Sequence, residues 1–182
     1  MAILSKNPPR SLLIEGGSAK DRFSASFYWS ALLNCLDSAA RPCLSCSACL
    51  SLINMAQRDF FFFDGSKSSI TIELVKDSGI YASLGENPAS ASYRIVLFYE
   101  GQAFTDQSAN TFLKALEDPQ LSTVFILTAP QRERLLQTLV SRSWVITLPW
   151  PSLSHLQNRK NQEQLLDLAG CLLDFVTGKN AF

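Results

Sequence analysis

Ser11-Leu12-Leu13-Ile14-Glu15-Gly16-Gly17-Ser18-Ala19-Lys20-Asp21-Arg22-Phe23 is a short apolar run that breaks at two glycines and then enters a segment of helical period. Strand, glycine turn and helix in that order form the opening unit of an α/β protein with a parallel sheet. The pattern recurs along the chain. Asp59–Asp64, Arg94–Tyr99, Thr123–Thr128 and Trp144–Leu148 are further short apolar runs, continuous as strands covered on both faces are. With Ser11–Ile14 they predict a five-stranded sheet. Between them, Phe23–Leu36 carries an apolar face at Tyr28, Trp29, Leu32, Leu33 and Leu36, and Ile72–Ile80 is a shorter helical segment. Thr105 is placed to cap a helix bearing Ala109, Phe112, Leu113 and Leu116 on one face and ending before Pro119. Beyond Leu148, Pro149 and Pro151 break the chain. Residues 151–182, with a helical stretch at Gln164–Phe175, read as a linker and the start of a helical, lid-like element after a domain at 1–150.

A chain of 182 residues is long enough for one well-buried core. Its 47% apolar and 18% charged residues suit a globular protein rather than a disordered one. The formal net charge is zero, so the chain as a whole offers no electrostatic footprint for strong nucleic-acid binding. The first twenty residues lack a signal-peptide pattern, because the run Ser11–Ile14 meets Glu15 and two glycines at once. No apolar stretch approaches the roughly 18 residues that span a bilayer. The expected location is cytoplasmic, with no membrane partner. Thiols stay reduced there, so five cysteines suggest metal or chemistry before disulfides.

Cys35, Cys43, Cys46 and Cys49 stand in the spacing C-x7-C-x2-C-x2-C. Four thiolates can close a tetrahedral zinc shell, and two-residue gaps let neighbouring thiolates turn toward one ion. A closed four-sulfur shell has no open position for water, so such an ion is structural. The plainer reading is four small buried cysteines spaced by chance, and a thioredoxin-type redox pair fits less well because it stands alone at a helix start after a strand. Cys171 lies apart, in a helical pattern with Leu165, Leu168 and Leu172, and reads as a core residue.

Gly16 to Phe23 falls where G-x4-G-K-[ST] stands in phosphate loops, between strand and helix. There the second glycine permits close backbone approach, the lysine reaches the β/γ-phosphates and the hydroxyl holds magnesium. Here Asp21, Arg22 and Phe23 occupy those three places. On its own, the stretch is an ordinary strand-to-helix turn.

Further along stand Tyr93-Arg94-Ile95-Val96-Leu97-Phe98-Tyr99-Glu100-Gly101-Gln102, then Asn110-Thr111-Phe112-Leu113-Lys114-Ala115-Leu116-Glu117-Asp118-Pro119, then Phe125-Ile126-Leu127-Thr128 and Ser141-Arg142-Ser143. This succession resembles the bacterial clamp-loader ATPases of the AAA+ P-loop class. They read Y-[KR]-V-x-I-I-D-E-A-H, N-x-L-L-K-x-L-E-[ED]-P, F-I-L-x-T and S-R-C in the same order. Their zinc module has one cysteine at the end of the first helix and then C-x2-C-x2-C, as here. The resemblance covers roughly residues 8 to 150.

The departures from that pattern imply which branch is meant. Tyr99 stands in place of the metal-holding aspartate, Gly101 and Gln102 replace the alanine and histidine after Glu100, and the sensor threonine falls on Ala129 or Pro130. The resemblance therefore implies a non-hydrolysing, delta-prime-like subunit, with Gly16, Gly17 and Arg22 in a degenerate phosphate loop that does not bind ATP. It implies zinc at Cys35, Cys43, Cys46 and Cys49, and an arginine finger in trans at Arg142. Its partners would be gamma/tau-like and delta-like subunits, with the sliding clamp and primed DNA reached through the complex. The family's C-terminal collar domain is expected to be absent from these residues. Two other readings stand beside this one: an ATPase using Arg22 for lysine and Glu100 as base, and a stand-alone zinc domain binding nucleic acid.

Other residues have plainer readings. His155, the only histidine, has no carboxylate partner in a motif, and Phe60–Phe63 reads as a buried strand rather than a platform for bases. Arg132, Arg134 and Arg142 are able to form a basic edge, but Glu133 beside them points to a solvated helix face.

Overall fold

The computed structural model describes residues 8–117 and 122–149. His155, Cys171, the helical stretch at 164–175 and the whole linker and lid-like segment at 151–182 lie outside them.

Five strands form one parallel sheet: β1 (Ser11–Gly16), β2 (Phe60–Asp64), β3 (Arg94–Tyr99), β4 (Thr123–Ala129) and β5 (Trp144–Leu148). Their order is β2-β3-β4-β1-β5. The central strands β1, β3 and β4 are buried along their length. Alternate side chains feed two separate cores, as the two-residue period requires. Leu12, Ile14, Ile95, Leu97, Tyr99, Val124 and Ile126 face one side. Leu13, Val96, Phe98, Phe125 and Leu127 face the other. The long helix α1 (Ala19–Asn34) and the short α2 (Ser47–Ile53) cover the first side; α3 (Ile72–Asp77), α4 (Ile80–Leu84), α5 (Asp106–Glu117) and α6 (Gln137–Ser141) cover the second. Among the described residues, no helix is long and apolar enough to cross a membrane.

Several boundaries differ from expectation for local reasons. Helix α1 begins at Ala19, four residues before Phe23, because Ser18 and Asp21 form a reciprocal capping box. It ends at Asn34, since Cys35 is already extended. The segment at 72–80 is two helices rather than one, split where Gly79 takes the left-handed conformation (φ 75°). The phenylalanine run is an edge strand, so Phe60, Phe61 and Phe62 are half-buried and only Phe63 is buried. The Thr105 cap is as expected: its hydroxyl oxygen accepts from the Ser108 N–H at 3.2 Å.

Candidate functional site

Strand β1 ends in a turn where Gly16 has φ 76° and Gly17 φ 55°. A Cβ on Gly16 would lie 2.4 Å from the Leu148 carbonyl oxygen on β5, so only glycine fits there. Within the turn, the Asp21 carboxylate accepts from the Ser18 N–H at 3.0 Å and the Ser18 hydroxyl at 2.7 Å. An internal carboxylate thus takes up a backbone donor at the start of α1, where an anion would otherwise bind.

Arg22 turns into the protein. Its Nη1 donates to the carbonyls of Gly16 and Gly17, each at 2.9 Å, and its Nε and Nη2 donate to Glu100 Oε1 at 3.1 and 2.6 Å. The two side chains are 4% and 9% exposed, so the pair is a buried one. Glu100 follows β3 directly and holds a left-handed backbone (φ 55°, ψ 58°), which is costly for a residue with a Cβ. Three bonds hold it there besides those from Arg22's two donors to one oxygen. Its N–H donates to the Thr128 hydroxyl at 2.8 Å, its Oε2 accepts from Gln102 Nε2 at 2.7 Å, and its carbonyl accepts from the Ala103 N–H at 3.0 Å.

Beside this pair, Phe23 and Tyr99 pack edge to face with ring centroids 5.4 Å apart, and Phe27 lies 4.6 Å from Phe23. The Tyr99 hydroxyl donates to the Ala19 carbonyl at 3.2 Å. Burial, reinforced by the Glu100 charge, pushes its pKa up to about 12, so it stays a neutral donor.

On the far side of the turn, the buried Glu15 carboxylate binds the Arg132 guanidinium, the Arg132 N–H at 2.9 Å and the Thr147 hydroxyl at 2.8 Å. Those bonds, led by the Arg132 side chain, hold the Glu15 pKa below its ordinary value despite burial. Arg132 is therefore paired rather than part of a basic edge. Sequence reasoning gave Glu15 no role. A buried carboxylate at the end of a central strand is a signal only once its partner 117 positions away is known.

The four cysteines come together. The Sγ atoms of Cys35, Cys43, Cys46 and Cys49 all lie within 4.8 Å of one another. Cys35 follows α1 and Cys46 precedes α2, so two helix ends fix the cluster. The Cys43 N–H points at Cys35 Sγ (3.4 Å) and the Cys46 N–H at Cys43 Sγ (3.3 Å). Backbone N–H groups of Ser45 and Cys46 draw the Cys43 thiol down to about 6. The N–H of Leu36, then that of Cys49, lowers the Cys46 thiol. Burial raises Cys49 to about 12, a cost a bound cation removes because it stabilises the thiolate. Four thiol sulfurs gathered this closely match the donor set of a closed four-sulfur shell. The donor set fits a metal ion.

Arg142 lies far from the turn. It ends α6, just before β5, and its Nη1 donates to the Thr138 carbonyl at 3.3 Å on an exposed surface. The structure thus brings Gly16, Gly17, Arg22 and Glu100 together, gathers the cysteines elsewhere, and keeps Arg142 apart from both.

The family model described as DNA polymerase III, delta subunit, matches residues 2–152. The chain belongs to this clamp-loader family. It is 27% identical over 140 residues to DNA polymerase III subunit delta' of Pseudomonas aeruginosa, covering 76% of this chain and 43% of that protein. To the same subunit of Bacillus subtilis it is 25% identical over 155 residues, 85% of this chain and 45% of the relative. STICHEL-like 2 of Arabidopsis thaliana is 30% identical over 136 residues, which are 72% of this chain and 15% of that protein. The fold matches a DNA polymerase III gamma subunit-related protein of Thermotoga maritima with a TM-score of 0.64 and 22% identity, over 91% of this chain and 52% of that one. The chain spans under half the length of the delta' subunits it matches. As in the expected clamp-loader architecture, its P-loop-type turn sits at the end of a central parallel strand.

Proposed function

We propose that this clamp-loader protein is a non-hydrolysing, delta-prime-like subunit that helps load a sliding clamp onto primed DNA and lends Arg142 to a neighbouring ATPase subunit. The observation that carries the reading is the buried Arg22–Glu100 pair. In a working phosphate loop, a lysine and backbone N–H groups meet the phosphates, and the glutamate after the metal-holding aspartate orients the attacking water. Here the cation of the loop is bound to that glutamate, and the Gly16 and Gly17 carbonyls are turned toward the cation. The phosphate half of the site is filled from within. The metal half is filled as well, because Phe23 and Tyr99, at the two magnesium-ligand positions, pack against each other. Phosphoryl transfer relies on charge neutralisation and positioning, and the residues that supply both in a working site are absent.

Arg142 fits a role in trans because it is exposed at a helix end, away from this chain's own turn. The partners in this reading are gamma/tau-like and delta-like subunits, with the clamp and primed DNA reached through the assembly. Titration of the chain with ATP and magnesium tests it: the calorimetric trace should be flat. A micromolar dissociation constant with turnover that Glu100→Gln abolishes would instead favour an ATPase in its own right.

At the cysteine cluster the same reading places one structural zinc, held by Cys35, Cys43, Cys46 and Cys49. When bound, the ion supplies a cross-link and no reaction, since four thiolates close its shell. One zinc per chain is expected from metal analysis of protein purified without chelator. Substoichiometric zinc with four freely reactive thiols would contradict that. Cys46→Ser should lower the thermal midpoint and loosen residues 35–49 while far-UV circular dichroism shows the sheet intact.

A further inference from the structure

Arg142 is followed by a residue tied to the centre of the sheet. The carbonyl of Leu139, a buried residue, accepts twice: from the Arg142 N–H at 3.3 Å and from the Ser143 hydroxyl at 2.8 Å. With the Ser143 proton directed to Leu139, the 2.7 Å contact between Ser143 Oγ and Ser11 Oγ has Ser11 as its donor. Ser11 opens β1, between β4 and β5, and is 3% exposed. A directional chain of hydroxyls therefore runs from Ser11 to Ser143 to Leu139, and linked hydrogen bonds of this kind polarise and strengthen one another.

The other end of the same segment is tied to the same strand. The Gly16 N–H donates to the Pro130 carbonyl at 3.1 Å, and Glu15 holds Arg132. Residues 130–143 are thus strapped to β1 at both ends. The strap nearer Arg142 is the serine pair, which touches the residue directly after it and the carbonyl that caps it.

We infer that Ser11 and Ser143 are positioning residues that set where Arg142 projects from the domain. The inference rests on the proposed role of Arg142 in trans. A cation serving a neighbour's phosphoryl group must be held close to its working geometry, and a misplacement of about 1 Å costs up to roughly 10²-fold in rate. The clamp-loader motif has cysteine where Ser143 stands, and a thiol is a weak donor and acceptor. In this chain two hydroxyls make the connection.

The test is DNA-stimulated ATP turnover by the cognate gamma/tau-like ATPase in the reconstituted complex, with the variant chain titrated to saturation. Ser143→Ala should lower maximal turnover by roughly 10- to 100-fold with little change in the concentration giving half-maximal stimulation. Ser143→Thr, which keeps the hydroxyl, should restore most of it. Ser11→Ala deletes the donor, leaves the Ser143–Leu139 bond in place and should act in the same direction more mildly, so the test survives if Ser143→Ala folds poorly. On an Arg142→Ala background, Ser143→Ala should add nothing, because it acts through Arg142. Maximal turnover within twofold of wild type for both serine variants, while Arg142→Ala is slow, would overturn the positioning role and spare the role of Arg142. An equal added loss on the Arg142→Ala background would also overturn it, showing general loosening. No effect of Arg142→Ala itself would remove both.

Discussion

Arg22→Ala should destabilise the chain by about 3–5 kcal/mol, the usual cost of leaving one member of a buried ion pair without its partner. Glu100, 9% exposed beside Arg22, would lose that counter-ion, and the Gly16 and Gly17 carbonyls would lose the donor they share. A domain of ordinary stability has only about 5–15 kcal/mol in total, so this variant should sit near the edge of folding. Arg22→Lys should recover little, because a single ammonium lacks the planar fork of donors that reaches Glu100 and both carbonyls. Changing both partners together, Arg22→Met with Glu100→Gln, should recover much of the loss, since no unpaired charge stays buried. Denaturant unfolding of the four proteins checks this. A loss below 1 kcal/mol for Arg22→Ala would mean that Arg22 does not hold the turn.

That prediction was not available from the sequence. Arg22 stands in the lysine position of the loop, which suggests a cation directed at phosphate, whereas in the structure it is directed at a carboxylate 78 residues away. Pairing across that distance is set by the sheet, which brings the ends of β1 and β3 together with β4 between them. The strands themselves were legible as apolar runs: β3 and β5 have their expected bounds and the others differ by one or two residues, but β5, expected to be covered on both faces, is an edge strand with Trp144 exposed. The start of α1 was legible in principle. Ser18 followed three residues later by Asp21 is a capping pattern, but the same residues lie in the loop motif, which masks it. The cysteine cluster was legible in its spacing, and the structure adds the two helix ends that make the spacing work. The serine strap behind Arg142 was not, since Ser11 and Ser143 are 132 residues apart and the place of Ser143 in the S-R-C stretch does not point to Ser11.

Arg142→Ala should give the largest functional effect. Negative charge on the γ-phosphoryl oxygens of a neighbour's ATP must be met by cations, and an arginine finger in trans is worth about 10³–10⁵ in rate in GTPases. Arg142 donates to the Thr138 carbonyl at 3.3 Å on the surface, a bond of modest net strength. Assembly should survive the change, because the side chain takes no part in either core. Arg142→Lys should rescue poorly, for the reason that applies at Arg22: a point charge on a flexible stem does not reproduce the fork. The most direct measurement is DNA-stimulated ATP turnover by the cognate gamma/tau-like ATPase, with wild-type chain or Arg142→Ala at saturating concentration so that weaker assembly cannot pass for slower chemistry. The expected result is a loss of at least about 10²-fold with assembly intact by size-exclusion chromatography. Unchanged turnover would contradict the account, return Arg142 to the solvated surface and leave this chain a purely structural part of the loader.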